Sequence, residues 1–120
     1  DLKNGKSIFR RDYDHGTGTF TEEREIRPSR HLIVVGLHTL MRPDLYDLKI
    51  FMDPSTNLKT QWKITRDVSK RGYTYEQVKE QITKRRKDYD LFIEPLKIYA
   101  DIVSNGCDQD DIVLKCKILL

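Results

Sequence analysis

Three groups of residues in this sequence have side chains suited to chemistry. The largest is a basic series in the middle of the chain: Lys59, Lys63, Arg66, Lys70 and Arg71, followed further on by Lys84-Arg85-Arg86-Lys87. At about 100° per residue, Lys59, Lys63, Arg66 and Lys70 share one helix face, and Leu58, Trp62, Ile64 and Val68 share another that should be core. Most such stripes are solvated surface. Cations held together without carboxylates repel one another unless an anion neutralises them, and phosphate suits arginine, which grips it bidentately. Arg66 and Arg71 are therefore candidate phosphate ligands as well as candidate surface residues. Asp67, directly after Arg66, is either an ion-pair partner or a carboxylate that orients a cation or helps to hold Mg²⁺.

The second group is the histidines. His15 sits in Asp12-Tyr13-Asp14-His15-Gly16-Thr17-Gly18, a polar loop dense in turn-forming residues. His38 follows Gly36 at the end of the apolar run Leu32–Val35, where ligands bind if that run is a strand of an open parallel sheet. His31 reads as surface. The third group is a decoy. Gly5-Lys6-Ser7 looks like the tail of a phosphate-binding loop, but the loop needs an earlier glycine and a launching strand, and only four residues precede Gly5.

The elements that must position these residues follow from pattern. Residues 1–30 are polar and turn-rich, which in a segment this long signals function or disorder. Leu32–Val35 is a short continuous apolar run and suits a strand buried on both faces. Pro43 opens a short helical turn, and 48–52 reads as the neighbouring strand. Asp53-Pro54 is a helix start, with Asp53 as cap and Pro54 in the first position, and the helix should stop at Gly72. Thr74 and Gln77 have capping-box spacing for a second helix carrying Val78 and Ile82 inward to about Asp90. Ile98–Val103 reads as a strand, Asn105-Gly106 as a turn and Ile112–Leu120 as a last strand. The order strand, helix, strand, helix, helix, strand predicts an α/β sheet.

Composition bounds the function. The 120 residues make room for one small domain or part of a larger one, and a first residue other than Met suggests a piece of a longer protein. With 34% charged residues and no apolar run of membrane-spanning length, a soluble cytoplasmic protein (in an organelle stroma if the source is a plant) is expected, without a membrane partner or signal peptide. A net charge of +3, with no aromatics interleaved on the basic stripe, ranks a nucleic-acid partner last. Cys107 and Cys116 read as reduced thiols, not as metal ligands.

Several segments, in order, resemble the phosphoribulokinase/uridine kinase family. Tyr13-Asp14-His15-Gly16-Thr17-Gly18 resembles its sugar-substrate loop, and Val35-Gly36-Leu37-His38 its Glu-Gly-Leu-His segment. Trp62-Lys63-Ile64-Thr65-Arg66-Asp67 with Lys70-Arg71-Gly72, Arg85 through Asp90 with Ile93-Glu94-Pro95, and Tyr99-Ala100-Asp101 resemble its lid and the strand after it. The loop around His15 and the Trp62 segment favour the phosphoribulokinase branch. The resemblance implies part of a P-loop kinase fold, a doubly wound parallel sheet, with residues 1–30 as substrate loop region and 54–95 as helical lid region. It implies ATP and Mg²⁺ as cofactors of the complete protein and phosphoryl transfer to a hydroxyl of a phosphosugar, such as ribulose 5-phosphate, or a nucleoside. Tyr13, His15 and His38 would meet the substrate in one pocket, Arg71 would bind the substrate by holding phosphate charge with Arg66, Arg66 and Asp67 would be catalytic, and mobile Arg85 and Arg86 would close over ATP. Homo-oligomers are left open. The resemblance also places the P-loop, its lysine and the base aspartate upstream, so the chain alone is expected to be inactive. Val35 stands where the family has an acidic residue, or that position is deleted; a lost charged group of this kind costs on the order of 10²–10³ in rate. A non-catalytic module with a regulatory or assembly role is the alternative.

Overall fold

Local antiparallel pairing organises the start of the chain, because its turn residues let neighbouring segments meet at low loop-closure cost. Strands β1 (Ile8–Arg10) and β4 (Arg24–Ile26) pair antiparallel, and inside them β2 (Tyr13–Asp14) pairs antiparallel with β3 (Thr19–Phe20). The two ladders are out of step. Three residues lead from Arg10 to Tyr13, but four lead from Phe20 to Arg24, so the returning arm carries one extra residue, as in a bulge. Thr21 bridges the offset, donating its N–H to the Asp12 carbonyl at 2.8 Å and accepting the Asp12 N–H on Oγ1 at 3.0 Å. Gly5-Lys6-Ser7 runs into β1 and opens no helix.

The computed structural model describes residues 1–106, which fall into two compact units, 1–35 and a second from Gly36 onward. In the second, β5 (Ile50–Met52) pairs parallel with β6 (Ile102–Ser104). Lys49 and Asp101 fix the start of this register. The Lys49 N–H donates to the Asp101 carboxylate at 2.8 Å, the Asp101 N–H donates to the Lys49 carbonyl at 2.9 Å, and the two side chains pair at 3.0 Å. Burial falls on both faces of the pair, at Phe51 on one and at Ile102 and Ser104 on the other, as parallel pairing favours. Phe51 packs with Leu40 and Ile93, flanked by Tyr89, Leu96 and Ala100.

Helices α1 (Thr56–Arg71) and α2 (Tyr75–Asp88) form a hairpin. Ser55, not Asp53, caps α1, its Oγ accepting the Leu58 N–H at 3.3 Å, and the helix starts two residues later than expected. Gly72 stops it with φ 70°, a left-handed conformation that costs glycine no Cβ clash. The Thr74–Gln77 capping box forms in both directions, at 2.9 and 3.2 Å. Val78 is fully buried and Ile82 partly so, as their spacing predicts. The chain then passes through a π turn at Tyr89–Ile93 and a 3₁₀ segment at Glu94–Tyr99 into β6.

The doubly wound parallel sheet of a P-loop fold is not what the described residues form. Two of their three ladders are antiparallel, and the parallel pair has only two strands. The apolar run at Leu32–Val35 is the main source of the error: among the described residues it pairs with nothing as a strand, and Ile33 and Val35 are about 90% exposed. A four-residue apolar run signals burial but does not name a partner strand. The expected core face of α1 is also turned. Trp62 and Val68 are nearly half exposed, and the inward line runs through Thr60, Lys63, Ile64 and Asp67. The strand expected from Ile98 begins only at Ile102. The expected strand at Ile112–Leu120 and both cysteines lie outside the described residues.

Candidate phosphate-binding site

Asp67 is the most consequential side chain of the helical pair. Helical spacing sets Lys63 and Arg71 one turn to either side of it, and Arg66 is its neighbour. Its carboxylate is buried, with 1% of its surface exposed, and accepts from all three: Lys63 Nζ at 2.6 Å, Arg66 Nε at 2.8 Å and an Arg71 guanidinium nitrogen at 3.2 Å. The same residue's carbonyl accepts the N–H groups of Gly72 and Tyr73, so Asp67 also closes the end of α1. Arg66 above all, then Lys63, hold its carboxyl down to about 2 against the opposing effect of burial. A carboxylate near a helix C-terminus faces the unfavourable end of the backbone dipoles, and the three cations offset that.

The charge balance of this cluster favours an anion. One carboxylate faces three cations, leaving an excess of positive charge. Arg66 and Arg71 each commit one N–H direction to Asp67, and a guanidinium has five donors in a planar fork. Arg66 is half exposed and Arg71 about a third. The remaining donors of both guanidinium groups are not used by Asp67.

The other expected site residues are placed as follows. Tyr13 and His15 stand at the hairpin tip of the first unit, both exposed, with rings edge to face at 5.0 Å; Phe20 meets Tyr13 likewise at 5.4 Å. The turn is built by Asp14, which accepts the Gly16 N–H at 2.8 Å, and by Gly18 at φ 72°. That bond to Gly16, with one from Thr17, holds the Asp14 carboxyl below its usual value. His38, exposed, opens a 3₁₀ turn at Thr39–Met41 in the second unit. Arg86 pairs with Asp90 at 3.1 Å and reaches Thr56 Oγ1 at 3.5 Å, and Arg85 is exposed beside it on α2.

The model of the phosphoribulokinase/uridine kinase family matches residues 1–113. The chain belongs to that family. It is similar to the phosphoribulokinase of Synechocystis, 38% identical over 105 residues, and to the chloroplastic phosphoribulokinase of Arabidopsis thaliana, 40% identical over 105 residues; both matches cover 85% of this chain. It is also similar to the uridine kinase of Macrococcus caseolyticus, 38% identical over 108 residues and 86% of this chain. The matched stretch makes up 32% and 27% of the two phosphoribulokinases and 52% of the uridine kinase, so the chain spans about a quarter to about half of these relatives. Among the described residues of this family member, no helix is long and apolar enough to cross a membrane, and no three acidic, His or Cys side chains group as metal ligands do.

What sequence reasoning missed is Asp53. Its carboxylate accepts from Lys59 at 2.9 Å and Lys97 at 2.6 Å, and Lys59 also donates to the Tyr89 hydroxyl at 2.9 Å. Lys97, and then Lys59, hold the Asp53 carboxyl below its usual value. The Asp53-Pro54 pair was legible only as a helix cap, because the partners lie far along the chain.

Proposed function

We propose that this chain supplies the substrate-and-lid part of an ATP-dependent kinase acting on a hydroxyl of a phosphosugar or nucleoside, on the phosphoribulokinase branch. Family membership supports phosphoryl transfer in general. The observation that carries the reading further is the Asp67 cluster, where two arginines are held by a buried carboxylate with donors to spare. Phosphoryl transfer asks little covalent chemistry of a protein and much positioning and charge neutralisation. In this reading Arg66 and Arg71 hold phosphate oxygens, Asp67 fixes their planes, and the helical pair is the lid that brings Arg85 and Arg86 over ATP. The residues fit ATP better than a metal of their own: Mg²⁺ bound to nucleotide commonly takes only one or two carboxylates besides phosphate. Tyr13 and His15 would hold the sugar acceptor, and their edge-to-face contact would fix the imidazole.

The second reading, a non-catalytic member with a regulatory or assembly role, draws on Val35. It is exposed and has no group that could ligate a cation where the family motif has an acid. The complete protein encoded by the gene, assayed with ATP, Mg²⁺ and either ribulose 5-phosphate or uridine, separates the two. The kinase reading expects turnover, a fall in kcat/KM of about 10² in Arg66→Ala and Arg71→Ala, and none from the 120-residue chain alone. No turnover on any phosphosugar or nucleoside would favour the second reading.

A further inference from the structure

The polar network around Asp53 sits where the helical pair leaves the sheet and where it returns. Asp53 follows β5 directly, and its N–H extends the parallel ladder to the Ser104 carbonyl at 2.6 Å. Ser104 is fully buried, so this end of the sheet is held firmly. One oxygen of the Asp53 carboxylate takes Lys59 from the early part of α1, and the other takes Lys97 from the segment returning to β6. Lys59 lies over the ring of Tyr89, the first residue after α2, at 4.7 Å from its centroid, besides bonding its hydroxyl. Lys97 also bonds Glu94 and stands 5.6 Å from the centre of the Phe51 ring in the core. A single carboxylate thus joins the strand before the pair, the first helix, the exit from the second and the return segment.

The geometry makes this junction a fulcrum. Arg71 is twelve residues along α1 from Lys59, about 18 Å at the helical rise, so a rocking of about 10° at the base would carry it about 3 Å. A displacement of that size breaks any hydrogen bond to a phosphate oxygen, and catalytic groups lose much of their effect when misplaced by about 1 Å. The Asp67 cluster cannot prevent it, because Lys63, Arg66, Asp67 and Arg71 all ride on α1 and move together. Stiffness between the arginines and the sheet has to come from contacts nearer the base, which are the Asp53 network and, one turn further along α1, Trp62 beside Gly106 just after β6.

We propose that Asp53 is a positioning residue, the latch that fixes the angle of the α1–α2 pair on the sheet and through it the reach of Arg66 and Arg71. The role in catalysis rests on the reading of the pair as a kinase lid; the latch itself does not. Its partners are partly exposed, which suits a joint that holds in one position and can yield.

Residual dipolar couplings measured on the 120-residue chain test the latch. In the wild type one alignment tensor should fit both α1–α2 and the segment holding β5, β6 and residues 94–99. In Asp53→Asn the alignment tensor of the helical pair should become distinctly smaller than that of the sheet segment, the mark of a hairpin that has kept its fold and lost its anchor. A uniform loss of stability with equal tensors would make Asp53 an ordinary ion-pair partner and overturn the proposal. If Asp53→Asn does not fold, Tyr89→Phe, which removes one hydroxyl, decides: a fall in the same direction supports the latch and equal tensors overturn it. Inorganic phosphate added to the same samples reports on the kinase reading separately. Shifts at Arg66 and Arg71 that persist in Asp53→Asn belong to the local site, and their absence from the wild type would count against that site while leaving the tensors unaffected.

Discussion

The two carboxylates at the ends of α1 solve opposite problems. Asp67 gathers three cations of its own helix, none more than four residues away, is buried, and leaves positive charge in excess. Asp53 gathers Lys59 and Lys97, which are 38 residues apart, remains about a quarter exposed, and with Glu94 leaves its cations neutralised. On the proposed reading, the first arrangement is a site for an anion and the second is a joint. Number of cations alone does not mark a phosphate site. The balance of charge and the source of the partners do.

Removal of charge should separate the two most strongly. Asp67→Asn leaves Lys63, Arg66 and Arg71 around a neutral amide, and we expect a loss of about 2–3 kcal/mol in urea unfolding, below the range for fully buried pairs because the cations stay partly hydrated. Asp53→Asn should cost about 1 kcal/mol, as two partly exposed charge-assisted bonds are weakened and not abolished. Equal losses would remove the distinction drawn here.

Acid should sharpen the same comparison. The Asp67 carboxyl has its folded value lowered from 3.8 to about 2, so its contribution is complete above 3.8 and is lost as pH falls through about 2. Thermal unfolding followed from pH 5 to pH 2 should show a steep loss of Tm at the acid end, and Asp67→Asn should flatten it. A profile unchanged in that variant would mean that other carboxylates set the acid limit. Asp53 is shifted in the same direction, so Asp53→Asn should flatten the profile as well, by less.

How much of this was legible beforehand depended on the distance between partners. The capping box at Thr74 and Gln77, the stop at Gly72 and the inward Val78 were readable because each is decided within a turn or two of helix. The Asp67 cluster was half readable: its residues were singled out, but a hydrophobic reading of α1 set Trp62 and Val68 inward, when the line through Asp67 is the buried one. The nested hairpin at residues 8–26 was missed because its strands are two or three residues long and its signal is turn residues, which also mark plain loops. Leu32–Val35 misled for the opposite reason, since a strong local signal had no partner strand among the described residues to satisfy it. The Asp53 network, spanning 44 residues from Asp53 to Lys97, had no local signal at all.

The smallest effect concerns the link between the helices. Gly72→Ala places a Cβ at φ 70° and should cost about 1 kcal/mol without meeting any neighbouring atom within 4 Å. Because the Gly72 and Tyr73 N–H groups both bond the Asp67 carbonyl, this variant should also shift the Arg71 side-chain resonances, while Thr74→Ala, of similar cost through the lost cap, should not. Movement of Arg71 in both would show that the end of α1 is not coupled to the cluster in the way described.

The central claim is that Arg66 and Arg71, held by Asp67, form a phosphate site, and titration with inorganic phosphate followed by NMR tests it most directly. The account predicts saturable shifts confined to residues 63–73 of the wild type, at least halved in Arg66→Ala and in Arg71→Ala, and weakening with salt as screened charge contacts do. Equal shifts in all three proteins, or none near residues 66–71 in the wild type, would contradict it and leave the stripe an ordinary solvated surface.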